Sequence, residues 1–416
     1  MSLLSVQSAF GLFTFVLIAW ALSENRRAVR PRLVLAGIGL QLGLALVLLK
    51  MPMFTDFFLL LNKAAEALES GTRAGTTFVF GYLGGGTLPF EEPSTGAAYI
   101  FAFRALPVII VTGALTALLY HWKVIPVLVQ VFSAMLRRTL GIGGALGVGA
   151  AANVFAGMVE SPLFIRPYVA SLTRSELFAL MTCGMATIAG TVLVLYAGIV
   201  GSVVPGALGH IMAASLISAP AAILVSGLLI PETESPTMGE VVPPVETASS
   251  MDAVVKGTGF GLHMYLHIVA LLVVLVALVS MVNAALGMLP ALAGEPLTLQ
   301  GLLGYVMMPL VWLAGVPWSE AHAAGGLMGV KVVLNELLAY LDMAALPEGT
   351  LSPRSTLIMT YAMCGFANIG SLGILIGGLT SIAPERSREI TALGPRSILS
   401  GVLATLMTGA VVGILS

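Results

Sequence analysis

Apolar residues run in blocks of about twenty along almost the whole chain, separated by short polar intervals. A helix needs about 20 mostly apolar residues to cross the hydrocarbon core of a bilayer. Blocks of that kind occupy residues 4–22, 33–50, 99–120, 176–203, 207–230, 264–290, 355–380 and 396–415. They predict an all-α integral membrane protein with about eight transmembrane helices. Ala19-Trp20-Ala21 resembles a signal cleavage site, yet no Lys or Arg precedes the first block, and Arg26, Arg27, Arg30 and Arg32 follow it. That is the wrong polarity for a secretory leader, so the block reads as a retained span with its N terminus outside.

Two stretches break the pattern. Residues 139–170 and 299–345 are apolar but interrupted by Gly, Pro and carboxylates, and each is long enough for two short helices. Irregular backbone is tolerated at membrane depth only where protein or a water-filled cavity supplies hydrogen-bond partners, which predicts two re-entrant helical hairpins. Residues 54–70, with Asp56, Lys63, Glu66 and Glu69 among Phe and Leu, predict an interfacial helix, as do residues 122–136. The segment 231–255, rich in Pro, Glu, Ser and Thr, predicts a flexible loop.

Composition and charge narrow the class. Only 9% of the 416 residues are charged and 58% are hydrophobic, against roughly 25% charged in a soluble domain. A soluble enzyme is thereby excluded. The formal net charge of −1 leaves no basic field for a nucleic-acid partner, so the lipid bilayer is the expected surrounding. Cys183 and Cys364 stand far apart and form neither a zinc pattern nor a disulfide framework. Alternating the spans from an outside N terminus places Arg26, Arg27, Arg30, Arg32, Lys123, Arg137, Arg138, Arg166, Arg174, Lys256, Arg386, Arg388 and Arg396 inside. Lys50, Lys63, Arg73, Arg104, Lys331 and Arg354 fall outside, a bias in keeping with the positive-inside rule.

A short repeat adds function to location. Cys183-Gly184-Met185-Ala186-Thr187-Ile188-Ala189-Gly190 and Cys364-Gly365-Phe366-Ala367-Asn368-Ile369-Gly370-Ser371 share Cys, Gly, Ala and Ile at an offset of 181. Upstream, Arg174-Ser175 and Arg354-Ser355 match at an offset of 180. Three spans separate the two copies, so the second is inverted. Inverted repeats with interrupted helices characterise many secondary transporters, whose site lies between the repeats near the midplane. The chain accordingly divides into an N-terminal scaffold (1–138), a first repeat (139–230), a loop with a scaffold span (231–298) and a second repeat (299–416).

Charge within the apolar body marks candidate chemistry, because a carboxylate at the bilayer centre costs about 2.5–3.5 kcal/mol even on lenient scales. Glu160, beside Ser161-Pro162, and Glu336, in Leu334-Asn335-Glu336, each fall in one hairpin. Pro162 interrupts the helix there and frees backbone groups to face a solute or ion. The competing reading is a carboxylate that snorkels to the surface or pairs structurally with Arg166 or Lys331. Asn368 and Ser371 offer directional hydrogen bonds to a polyhydroxylated solute, against ordinary helix–helix bonding. Thr187, the counterpart of Asn368, and Asn153 offer oxygen to a hard monovalent cation. His263 and His267 have metal-ligand spacing but no third ligand, and a helix entering the membrane from the inside accounts for them. Gly81-Tyr82-Leu83-Gly84-Gly85-Gly86 lacks the Lys of a phosphate loop, and no nucleophile–base pair emerges, so the chain does not read as an enzyme.

These same segments carry a family likeness. Asn153 to Pro167, Thr173-Arg174-Ser175-Glu176-Leu177, Ala186-Thr187-Ile188-Ala189-Gly190, Leu334-Asn335-Glu336 and Tyr361 to Ser371 resemble the concentrative nucleoside transporters of bacterial type. So do Ser23-Glu24-Asn25-Arg26-Arg27 and Phe78-Val79-Phe80-Gly81-Tyr82-Leu83-Gly84. The resemblance implies a homotrimer of the bacterial inner membrane that imports nucleosides by cotransport with sodium or, in some members, protons, and it implies no bound organic cofactor. Carried over by position, Glu336, Asn368 and Ser371 hold the ribose hydroxyls and Phe366 lines their pocket. Met158, Val159 and Glu160 face the base, with Val192 nearby. Asn153 and Thr187 bind sodium by side chain, and Ala156 and Ile188 by backbone carbonyl. In many members Gln-Thr stands where this chain has Met158-Val159, so apolar contact replaces polar readout of the base. The implied alternatives are a purine, broadly apolar base packing, or another sugar-bearing solute.

Overall fold

In hydrocarbon every backbone N–H and C=O must be paired within its own segment, so the apolar blocks become helices. A computed structural model describes residues 3–91, 98–239, 247–290 and 296–416, without the side chains of residues 52–59, 61 and 62. The helices are α1 (Leu3–Ala21), α2 (Pro31–Lys50), α3 (Pro52–Phe80), α4 (Phe101–Arg104), α5 (Val108–His121), α6 (Val124–Leu140) and α7 (Gly144–Ala156). After a run of tight 3-10 turns, Ser161–Ser171, come α8 (Arg174–Ala186), α9 (Gly190–Val200), α10 (Ala207–Leu229) and α11 (Ser250–Leu286). The chain continues with α12 (Leu299–Ala314), α13 (Ala321–Val333), α14 (Glu336–Ala345), α15 (Pro353–Met363), α16 (Ile369–Ile382) and α17 (Ser387–Leu415). No strand occurs among the described residues.

Among the described residues, seven helical segments are long and apolar enough to cross a membrane: α1, α2, α4 with α5, α8 with α9, α10, α11, and α17 with the turn before it. The eighth expected span is present but split into α15 and α16 by the break at Cys364–Asn368. Two expectations need correction. The stretch 299–345 holds three helices rather than two, because Gly315, at φ +114, ends α12 before α13 and α14 begin. Helix α11 starts at Ser250, well before residue 264. There the Ser249 hydroxyl accepts from the Asp252 N–H at 3.1 Å and Lys256 pairs with Asp252 at 2.9 Å, so polar capping starts a helix where hydropathy is low. Of the predicted loop 231–255, residues 240–246 lie outside the described residues, as does the side chain of Asp56 in the predicted interfacial helix.

An order of elements recurs. Residues 124–229 run as one amphipathic helix, a broken pair, a helix interrupted at Thr187–Ala189 and a long helix; residues 299–415 run in the same order. Helices α8, α10 and α17 are buried over most of their length, whereas α11 stays on the outside. It packs on α5 through Gly257 and Gly261, where a Cβ on Gly113 would come within 2.9 Å of the Gly257 carbonyl. This is the close backbone approach that small residues four apart permit in membranes.

Two polar clusters tie the ends of the bundle. Glu24, between α1 and α2, bonds Arg174 at 3.0 Å and also pairs with Arg396, while Arg386 pairs with Glu389 at 2.8 Å. Arg354 donates to the carbonyls of Gly315, Leu4 and Gly413. At 1.5 Å per residue, Arg396 and Gly413 on α17 are roughly 25 Å apart, so the clusters mark opposite ends of the bundle. Arg174, Arg386 and Arg396 share one end. Arg354 shares the other with both chain termini.

Candidate functional site

The first hairpin tip is held against the α8/α9 break. Helix α7 ends at Gly157, whose φ of +92 suits a residue without a side chain. A Cβ there would lie 2.6 Å from the Ala189 Cβ, and one on Gly190 would lie 2.6 Å from the Phe155 carbonyl. The two breaks also meet: the Phe366 N–H donates to the Thr187 carbonyl at 3.3 Å. The two copies of the repeated octapeptide thus touch at their unwound centres.

Between these breaks and α11 lies a cavity of about 500 Å3. Met158, Val159, Glu160, Val192, Glu336, Phe366, Asn368 and Ser371 all line it. Local capping positions the polar wall. Asn335 caps α14 by accepting from the Leu338 N–H at 2.9 Å, which sets Glu336 in the first turn, where the helix dipole favours a carboxylate. Asn368 caps α16 by accepting from the Ser371 N–H at 2.7 Å, and its amide nitrogen donates to Glu336 Oε2 at 2.9 Å. Tyr196 donates its hydroxyl to Glu336 Oε1 at 2.5 Å. Asn368 therefore serves the helix and the cavity at once.

The structural pairings weighed against the two carboxylates are not made. Lys331 is fully buried, but its ammonium donates to the Ala362 carbonyl at 2.9 Å and to Thr405 at 3.0 Å, with no salt bridge to Glu336 among the described residues. Nor does Glu160 form an ion pair with Arg166 among them. Glu160 is half-buried at the junction of two cavities, since it also lines a second space of about 610 Å3 with Tyr120, His121, Lys123 and Lys256.

Behind the tip, Asn153 is fully buried with both its amide oxygen and nitrogen unpartnered among the described residues, and so is the hydroxyl of nearby Ser161. Buried amides are rarely left so, and each orphan costs about 1–3 kcal/mol. Thr187 and Ile188 are fully buried in the adjoining break; the Thr187 hydroxyl donates to the Cys183 carbonyl at 2.9 Å and keeps lone pairs free. Ala156 closes α7, so its carbonyl lies beyond the helical ladder. Neutral oxygens of this kind are the chemistry that suits a hard monovalent cation. No group of three or more His, Cys, Asp or Glu suited to another metal occurs among the described residues.

Sequence reasoning missed three cavity residues. Tyr196 was legible in principle, being one turn from Val192 on α9. His263 and His267 lie on a membrane-length helix, α11, as the sequence leads one to expect, and they also line the cavity wall. Their spacing already set them on one face, but only the packing shows what that face meets.

Comparison with known proteins follows the same lines. Family models described as Na+ dependent nucleoside transporter N-terminus and C-terminus match residues 10–83 and 210–413, and one described as nucleoside recognition matches residues 102–203. An uncharacterized transporter of Bacillus subtilis, YutK, is 37% identical over 408 residues, covering 97% of each chain. The nucleoside permease NupC of Helicobacter pylori is 33% identical over 416 residues, covering 99% of this chain and 97% of its own. A structure of CNTnw in an inward-facing, substrate-bound state shares 36% identity and a TM-score of 0.89 over 99% of this chain and 98% of that one. An all-helical membrane body, two meeting helix breaks and matches along nearly the full chain lead to one conclusion: the protein belongs to the Na+-dependent, concentrative nucleoside transporter family, whose members are transporters and not enzymes.

Proposed function

We propose that the protein imports nucleosides by cotransport with a cation, sodium in preference to protons. The observation that carries this reading is the bond between the Phe366 N–H and the Thr187 carbonyl, which joins the oxygen-rich group behind the hairpin to the wall of the solute cavity. In this reading Asn153 and Thr187 bind sodium by side chain, and Ala156 and Ile188 by carbonyl. An ion there fixes the α8/α9 break, and the break fixes Phe366 and Asn368. Ion and solute then strengthen one another's binding by the same factor, as linkage requires.

On the solute side, Glu336, Asn368 and Ser371 take the ribose hydroxyls. Tyr196 and Asn368 use one lone pair of each carboxylate oxygen, leaving others to accept from hydroxyls. Phe366 and Val192 supply apolar contact, and Met158, Val159 and Glu160 face the base. Residues 139–230 and 299–416 move with ion and solute against a scaffold of 1–138 and 231–298, so that α6, although part of the recurring order of elements, stays with the scaffold. The assembly is a homotrimer in a bacterial inner membrane. Both termini face outside, since the arginine-rich end opposite them meets the positive-inside rule.

Uptake of labelled nucleosides into proteoliposomes under imposed sodium or proton gradients tests the reading. Gradient-driven, saturable uptake of a nucleoside is expected with sodium; folded protein that takes up no nucleoside under either gradient would refute it. A carrier of another sugar-containing metabolite is the second reading, favoured by Met158 and Val159 at the cavity wall. Met158→Gln with Val159→Thr should shift the order of nucleosides competing for uptake, and an unaltered order would show that these positions do not touch the base.

A further inference from the structure

Met158 and Val159 place a thioether and an isopropyl group on the hairpin side of the cavity, and neither gives a base edge a strong hydrogen bond. The polar groups Glu336, Asn368 and Ser371 stand on another wall, toward the sugar. On the third wall, α11 contributes Phe260, His263, Met264 and His267, and then only apolar residues from Ile268 to Leu275. The two imidazoles lie one turn apart on one face, their ring centroids 6.3 Å apart and their planes within 19°. Both are exposed, and apart from each other neither engages another group among the described residues. Two donor–acceptor pairs therefore face a cavity whose hairpin wall offers the base one polar side chain, the acceptor Glu160, beside Met158 and Val159.

We infer that His263 and His267 read the base, and that the solute they favour is a purine riboside; this rests on the nucleoside reading above. A neutral imidazole carries one N–H donor and one acceptor nitrogen in the ring plane, so it can answer either kind of group on a base edge. A purine presents a ring nitrogen and an exocyclic group side by side along the edge away from the sugar. That edge is long enough to engage both histidines, while the single ring of a pyrimidine leaves one of them to water. Discrimination by hydrogen bonds is effective because the analogue that lacks the partner leaves site groups unpaired.

The test is competition in proteoliposomes, with unlabelled inosine, guanosine and adenosine set against uridine and cytidine for uptake of one labelled nucleoside. The parent should prefer purines, and His263→Leu with His267→Leu should cut that preference about tenfold, the worth of one net hydrogen bond at this precision. The cation concentration for half-maximal uptake should not move, since neither histidine adjoins Asn153 or Thr187. His267→Gln, which keeps a donor and an acceptor, should retain more of the preference than His267→Leu. If the double variant does not purify as folded protein, the two single Leu variants carry the same comparison. A parent that prefers pyrimidines, or a preference unchanged in folded variants, would overturn the assignment while leaving nucleoside transport intact. A parent that takes up no nucleoside would remove the transport reading and this assignment together.

Discussion

Tyr196 shows how much one hydroxyl can carry. It donates at 2.5 Å to a carboxylate whose other oxygen is held by Asn368, so Glu336 is fixed in direction before any solute arrives. Replacing it with Phe keeps the ring packing against Tyr340, at 5.6 Å between centroids, and removes only the donor. Hydrogen bonds to charged groups contribute about 1.5–3 kcal/mol, so Tyr196→Phe should weaken nucleoside binding by about tenfold or more. Calorimetry on the purified protein measures this, and unchanged affinity would mean that the carboxylate is positioned by other groups. Thr187→Ala should act on the ion instead. It should raise the sodium concentration for half-maximal uptake while leaving nucleoside affinity at saturating sodium nearly unchanged.

At the scale of elements, function depends on helices that stop within the membrane body. The half-helices end on Gly157, Thr187, Leu334 and Cys364, and of their successors α14 and α16 begin on side-chain caps, Asn335 and Asn368. Gly157 is the tightest of these ends, since it combines φ +92 with a 2.6 Å approach to Ala189. Gly157→Ala should cost about 1–3 kcal/mol in backbone strain alone, because φ +92 with ψ 175 is a region only Gly adopts readily, and push the tip away from the break. Sodium affinity and transport should fall together, and a thermal melt should drop only modestly because the rest of the fold is untouched. The element boundaries themselves were partly legible. Thr173-x-x-Glu176 forms a capping box at the start of α8, with both reciprocal bonds made at 3.1 Å. The third helix within 299–345 was not legible, because Gly-rich apolar sequence fits one long hairpin or three short helices equally well.

For the whole molecule, the Glu24 cluster is the tie most exposed to pH. Partial burial pushes the Glu24 carboxyl up, but the hydrogen bond and charge of Arg174, with the charge of Arg396, outweigh it and hold the group below its ordinary value of 4.5. A carboxylate lowered in the folded state stabilises it fully above the unfolded value and ceases to as pH falls through the lower, folded one. Glu24→Gln should therefore lower the melting temperature at neutral pH, and the gap from the parent should close as pH drops through and below the carboxylate range. A gap that does not change with pH would assign the effect to packing. The contribution is small in any case, since both partners are partly solvent-exposed and salt screens them.

The sequence by itself determined the solvent of this protein, its all-helical class and the place of its breaks at Pro162 and in the repeated octapeptides. It could do so because the cost of charge and unpaired backbone in lipid is large and local, so hydropathy, Pro162 and the repeated octapeptides record it directly. It also singled out Glu160, Glu336, Asn368 and Ser371, since polar groups in an apolar block stand out one at a time. Only the tertiary structure decided which of these share a space, and that Tyr196, His263 and His267 belong with them. Those three sit on helices whose local pattern is ordinary for a membrane span. Their role comes from what faces them across 140 residues in the case of Tyr196 and Glu336, a separation at which no periodicity or spacing carries information. In the same way, Lys331 reads as a charge awaiting a carboxylate until packing shows a carbonyl and a hydroxyl around its ammonium.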